Sequence, residues 1–307
     1  MTSKRLVFFG NERLATGVST DVPVLRALID AGYDIRAVVS HNEVTRSRKQ
    51  RDLEIAAVAD EAGIPLLLPH KLGDIYDELI ALEAEAAVLV AYGKIVPQRV
   101  IDIFPRGIIN IHPSALPKHR GPTPLESVIL DGSTTTSVSL MALAAAMDAG
   151  PVYAQQSVEL TGTETKQQLA DKLITVGRDM VIEHLPGILE DSVQPTIQDD
   201  SQASYDQLIT KRDGIIDWQQ PALVLERQIR AYADWPKSRT NIGGYDVAIT
   251  AAHVIDGSGI PGVVWLQDRQ LGMHTGDGIL VIDSLVPAGK KPMSGSDFLR
   301  GYKPKTQ

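Results

Sequence analysis

In the first 140 residues, short runs in which nearly every position is apolar alternate with segments of helical period. The apolar runs fall at 5–9, 34–40, 65–68, 86–91, 107–111 and 137–143, and the helical patterns at 22–31, 53–62 and 74–82. A strand that is apolar on both sides must be covered on both faces, and helices between strands supply that cover. The pattern therefore predicts an α/β domain with a doubly wound, mostly parallel sheet. Ligands of such a sheet bind at the carboxyl ends of its strands. Asp21 is the expected cap of the first helix, with Gly32 and Gly63 as the expected stops of the first two.

A long helical pattern follows at 163–190, with Leu169, Leu173, Val176, Met180 and Leu185 on one face. Residues 192–206 are polar and form the expected linker. A helix at 223–231 and short strands at 241–250, 262–266, 272–274 and 279–284, broken by Gly-rich turns, predict a small antiparallel β-barrel, OB-like. The expected division is a first domain at 1–191, a linker at 192–206 and a C-terminal domain at 207–307. A length of 307 residues suits two domains.

Composition narrows the chemistry. With 0 cysteines there is no disulfide framework, thiolate zinc site or cysteine nucleophile. No apolar stretch is long enough for a signal peptide or a membrane span, so a soluble, cytoplasmic protein is expected. The net charge of −8 argues against nucleic-acid binding by the whole surface. Residues 205–307 carry 12 Lys and Arg against 11 Asp and Glu, whereas 1–204 carry 18 against 27, so a polyanion would have to meet local basic patches. The segment Gly10-Asn-Glu-Arg-Leu-Ala-Thr-Gly17 fits neither a dinucleotide fingerprint nor a phosphate loop. No G-x-S-x-G elbow and no H-E-x-x-H occurs, and His112 and His119 have no carboxylate between them, so no metal is expected.

The informative stretch is 107–121, GIINIHPSALPKHRG. Asn110 and His112 are two apart on a strand, so their side chains share a face, at the carboxyl end where Pro113 stops the strand. An amide beside an imidazole suits an oxyanion, since both can donate to oxygen as charge develops. Asp148 follows another apolar strand, in a turn set by Gly150 and Pro151. A carboxylate there can orient the imidazole or take a proton.

These residues carry a resemblance. Asn110-x-His112, Ser114-Ala-Leu-Pro117-x-x-x-Gly121-x-x-Pro124, Met147-Asp148-Ala-Gly-Pro151 and the loop Ala91-Tyr92-Gly93-Lys94-Ile95-Val96-Pro97 resemble the folate-dependent formyltransferases. The resemblance implies formylation of an amine by 10-formyltetrahydrofolate as cosubstrate, without a metal. It implies that Asn110 and His112 stabilise the oxyanion, and that Asp148 holds His112 and helps deprotonate the amine. It implies a folate pocket lined by Tyr92, Gly93, Ile95, Val96 and Pro97, by Ser114, Ala115, Leu116 and Pro117, and by Met147. The C-terminal motifs at 205–218, 229–236, 276–280 and 285–301 are similar to those of family members that formylate initiator methionyl-tRNA. That implies a monomer with a barrel-like domain that contacts tRNA. Arg46, Arg48, Lys49 and Arg51 form one basic cluster. Lys290, Lys291 and Arg300, with Lys303 and Lys305, form a second that is opposed only by Asp297. Both suit phosphates, and Trp235, Trp265 or Tyr232 could stack on bases. The chain departs from the family at Gly10–Ala15, where a Gly-Thr-Pro-x-Phe-Ala turn is usual, and in a shorter loop at 46–51. Two alternatives stay open: a formyltransferase for a small amine such as an amino-sugar nucleotide, and a catalytically silent folate- or RNA-binding protein.

Overall fold

The computed structural model describes residues 5–41 and 53–302. The chain divides into two compact units. The first holds the chain up to Leu125, Thr134–Leu160 and Gln167–Gln207. The second holds Glu126–Ser133, Thr161–Lys166 and the chain from Leu208.

The elements of the first part of the chain are β1 (Arg5–Gly10), α1 (Pro23–Asp30), β2 (Asp34–Val39), α2 (Glu54–Glu61), β3 (Leu66–Leu67), α3 (Tyr76–Ala81), β4 (Ala86–Val90), α4 (Gln98–Ile101), β5 (Ile108–His112), α5 (Pro124–Asp131), β6 (Thr135–Ala142), β7 (Val152–Glu159) and α6 (Lys166–Leu189). The seven strands form one sheet in the order β3-β2-β1-β4-β5-β6-β7. From β3 to β5 every pairing is parallel. β6 and β7 are antiparallel additions at the β5 edge. The order reverses between β1 and β4, the switch point beside which an open α/β sheet binds its ligand.

Burial explains why these segments are strands. Every residue of β4 and β5 is buried, which a central strand covered on both faces requires. α6 covers one face of the sheet through its apolar stripe, in which Leu169, Leu173, Met180 and Leu185 are buried. Gly177 permits close approach, since a Cβ there would lie 2.6 Å from the Ile111 side chain. Ile111 therefore faces α6, and its strand neighbours Asn110 and His112 face the other way.

In one respect the start of α1 differs from the expectation. Val22, not Asp21, holds the N-cap position, with φ 59 and no side-chain cap. The Glu12 carboxylate satisfies the free amides instead, accepting from Val24 at 2.9 Å and Leu25 at 2.8 Å.

The rest of the chain adds α7 (Ala222–Ala231), β8 (Ser238–Ile242), β9 (Tyr245–Ile255), β10 (Val264–Gln267), β11 (Gln270–His274), β12 (Ile279–Pro287), β13 (Met293–Ser294) and α8 (Gly295–Tyr302). Its strands form an antiparallel sheet in the order β10-β11-β12-β9-β8, with β13 paired to β12. Its core joins Leu225 and Ile229 of α7, Phe298 of α8 and inward residues of the sheet such as Ile249, Leu280 and Ile282. Among the described residues no helix is long and apolar enough to cross a membrane.

Candidate active site

β5 carries the pair singled out by spacing. In its parallel ladder Asn110 lies opposite Leu89 of β4, and in its antiparallel ladder His112 lies opposite Ser139 of β6. Both side chains are nearly closed off from water, with Asn110 6% and His112 5% exposed. Among the described residues the Asn110 amide has no hydrogen-bond partner. A buried amide with unused donors suits a carbonyl oxygen brought in by a substrate.

Asp148 arrives from the turn after β6. Its backbone is in the left-handed region, φ 47, a conformation Asp tolerates better than most residues. One carboxylate oxygen, Oδ1, is 3.7 Å from Nδ1 of His112, an ion-pair distance rather than a hydrogen bond. The other, Oδ2, accepts from the Gly121 amide at 2.8 Å. Nε2 of His112 lies 3.0 Å from the His119 carbonyl oxygen. The imidazole is thus flanked by an acceptor on either side, which fixes its plane.

The loop after β5 is stitched to the sheet. Ser139 donates to the Ser114 carbonyl at 2.7 Å, and Gln155 of β7 donates to the Leu116 carbonyl at 3.0 Å. The Ser114 hydroxyl is used internally, donating to the Lys118 carbonyl at 2.8 Å. Ser114 and Leu116 are buried, and Ala115 and Pro117 are half-buried. After β4 the chain turns through Ala91 and Gly93 at φ 50 and 72. Tyr92 is packed edge-on against Phe9 and against His41, both with ring centres 5.7 Å away. Burial pushes its phenol up to about 12. Val96 is buried, whereas Ile95 is 85% exposed and Met147 is also exposed. Tyr92, Lys94, Ile95 and Pro97 border a groove of about 520 Å³ whose other wall is built from residues of 70–74 and Arg99.

The chain matches the formyl transferase family over residues 18–185 and the formyl transferase C-terminal domain over 208–303. It is 38% identical to the methionyl-tRNA formyltransferase of Chloroflexus aurantiacus, over 97% of this chain and 96% of that one. The chain belongs to the formyl transferase family. Solved structures agree on the fold. HypX from Aquifex aeolicus in complex with tetrahydrofolic acid superposes with a TM-score of 0.63 at 18% identity, over 96% of this chain. The chain spans only 46% of HypX. The N-formyltransferase of Helicobacter canadensis, in complex with folinic acid and dTDP-3-aminofucose, gives 0.66 at 16% identity, over 91% of this chain and 97% of that one.

The folate donor of a formyl transferase is a substrate, and the site's features suit one. The unused Asn110 amide can receive a formyl oxygen. The groove beside Tyr92, Ile95 and Pro97 is of mixed character, with His70, Lys71, Asp74, Lys94 and Arg99 among its lining, and none of Asn110, His112 and Asp148 borders it. Among the described residues no group of three or more His, Asp or Glu is placed to hold a metal ion.

The residues expected to meet tRNA are less gathered. Arg46, Arg48, Lys49 and Arg51 lie outside the described residues, as do Lys303 and Lys305. Lys290 and Lys291 are exposed in the turn after β12. Arg300 is exposed but pairs with Asp297 one helical turn away, which cancels much of its charge. Tyr232 is buried, and burial raises its phenol, so it is not open to stack on a base. Trp235 and Trp265 are half-buried. Two formyl transferase residues that touch the site were not singled out from sequence, Arg120 and Gln198. The signal for Arg120 was its place between His119 and Gly121 in the informative stretch. Gln198 gave none, because it lies in the polar segment read as a linker.

Proposed function

We propose that this protein transfers the formyl group of 10-formyltetrahydrofolate to the α-amine of methionine on initiator methionyl-tRNA, as a cytoplasmic monomer serving translation initiation. The observation that carries the reading is the convergence of Asn110, His112 and Asp148 at the carboxyl end of β5. The full-length similarity to a methionyl-tRNA formyltransferase supports the acceptor.

Formyl transfer needs three things from the protein. It must stabilise negative charge on the formyl oxygen when the amine nitrogen attacks the carbon. It must help the amine lose a proton, and it must help the departing folate nitrogen gain one. The Asn110 amide meets the first need as a donor already in place, and His112 adds a second from Nε2 when the ring is protonated and that N–H turns from the His119 carbonyl to the substrate oxygen. Asp148 faces Nδ1 of His112, so it favours a ring with a proton on that side and stabilises the ring when it takes up positive charge. The new bond joins the methionine nitrogen to the formyl carbon. The bond that breaks joins that carbon to the folate nitrogen, and one proton passes from the first nitrogen to the second.

The residues flanking the trio support a folate contact made largely by backbone, because the Ser114 hydroxyl and the buried Leu116 side chain are already engaged. Of the described cations in the two basic clusters, Lys290 and Lys291 are exposed, whereas Arg300 pairs with Asp297. Steady-state formylation with three acceptors tests the reading: initiator methionyl-tRNA, elongator methionyl-tRNA and an amino-sugar nucleotide. Formylation of the initiator species alone is expected. Formylation of the sugar alone would keep the chemistry and overturn the acceptor. Folate binding without any transfer would favour a silent binding protein.

A further inference from the structure

The segment 198–206 continues the fold of the first unit as a strap laid against the loop after His112. Three backbone hydrogen bonds tie it down: Ser204 to the Pro117 carbonyl at 3.2 Å, Arg120 to the Ser204 carbonyl at 2.9 Å, and Asp206 to the Arg120 carbonyl at 2.7 Å. Beneath it lies a buried cation. Arg120 is 1% exposed, and its guanidinium spends its donors on the strap. Nε and Nη2 both donate to Oε1 of Gln198, at 3.1 and 2.8 Å. Nη2 also donates to Asp200 at 2.7 Å, and Nη1 to the Tyr205 hydroxyl at 2.9 Å.

Gln198 then reaches beyond Arg120. Its amide nitrogen donates to the Asp148 carbonyl at 2.8 Å and to the Gly150 carbonyl at 2.6 Å. One side chain thus joins a buried guanidinium to the left-handed turn that carries the catalytic carboxylate. The residue after Arg120, Gly121, donates its amide to that carboxylate directly. The residue before it, His119, places its carbonyl against Nε2 of His112 and is itself held by Ser204 at 2.8 Å and Asp206 at 3.1 Å. Both flanks of the His112 ring are therefore set by groups that the strap holds.

We propose that Gln198, anchored by Arg120, is a positioning residue for formyl transfer, acting by holding the Asp148 turn so that its carboxylate faces His112. The proposal rests on the reading of the site given above. The chemistry demands an amide at this position. Its oxygen must accept from a cation, and its nitrogen must donate to two carbonyls. A carboxylate can do only the first, and a hydrocarbon neither.

The test is Gln198→Glu in the full chain, assayed with 10-formyltetrahydrofolate and initiator methionyl-tRNA. The variant keeps the partner of Arg120 and loses the donor to Asp148 and Gly150. Its kcat should fall about 10- to 100-fold, the effect of a misplaced catalytic group, with KM for folate within about twofold of wild type. The ratio of variant to wild-type kcat should rise as pH falls, because the introduced carboxyl regains a donor when protonated. A thermal midpoint close to that of wild type would show that the fold is intact. A kcat near wild type, or a loss confined to KM, would overturn the proposal. If the variant fails to fold, Gln198→Asn decides instead, since it keeps the amide but shortens its reach by one methylene. The same kcat loss at unchanged KM is expected there, and wild-type kcat would overturn the proposal. An inactive wild-type protein would instead sink the reading of the activity, and the inference with it.

Discussion

Glu12 shows what a single residue can do out of sight of its neighbours in sequence. It follows β1, is 2% exposed, and holds φ 57. Its carboxylate accepts from the first amides of α1, where negative charge is favoured by the helix end. Burial outweighs those two hydrogen bonds and pushes its pKa up to about 7 from 4.5. The folded protein then binds more protons than the unfolded chain between those two values. The stability contributed by this group is therefore full below the unfolded value and is lost as pH rises through about 7. Glu12→Gln should flatten the fall in urea midpoint across that window, and an unchanged slope would show that another group causes it. No local pattern reports such a cap, because donor and acceptor are separated by a loop. Asp21 looked like the cap only because it was the nearest carboxylate, and its backbone carbonyl is instead bonded by Arg26. The places of Asn110 and His112 were legible for the opposite reason, since strand parity and a strand end are displayed directly by sequence. Asp148 lies in a turn six residues past the end of β6 at Ala142, and the resemblance to the family, more than its position, singled it out.

At the scale of elements, what could be read was what is buried on both faces. β1, β4 and β5 announce themselves as unbroken apolar runs. β7 does not, since most of its residues are partly or fully exposed and it carries two glutamines. It is an edge strand whose pairing with β6 supplies the reason it forms. β8 and α8 went unread on similar grounds, being short and mostly polar. The segment 192–206 looked like a linker because its hydrogen bonds go to other segments rather than to a regular element of its own. Close approaches at strand ends are equally invisible until the fold is known. At Gly10, φ is 129 and a Cβ would lie 1.8 Å from the Val90 carbonyl oxygen. Gly10→Ala should cost on the order of 3 kcal/mol, because the contact is with backbone that cannot yield. Gly63 has φ 66 and nothing within 4 Å of such a Cβ, so Gly63→Ala should cost about 1 kcal/mol, the left-handed penalty alone. Chemical denaturation of the two variants would separate them, and equal losses would contradict the close approach at the β1–β4 edge.

For the molecule as a whole, charge sets how it meets a polyanion. With a net charge of −8, attraction has to come from local clusters. Lys290→Ala with Lys291→Ala should weaken tRNA binding and reduce its salt slope by about 1 for each phosphate contact removed, leaving KM for folate unchanged. Arg300→Ala should do less, given its Asp297 partner. Filter binding across a salt series would check both, and an unchanged slope in the double variant would remove that turn from the tRNA surface. The central claim, that the residues at the end of β5 perform formyl transfer to initiator methionyl-tRNA, is met most directly by one measurement. That measurement is the single-turnover rate of formylation by wild-type protein and by His112→Ala, with enzyme and folate in excess over tRNA. The wild-type protein should formylate the bound tRNA. The folded variant should bind tRNA equally well but transfer the formyl group at least about a hundredfold more slowly, the scale of a lost oxyanion donor. A rate in the variant close to wild type would contradict the account.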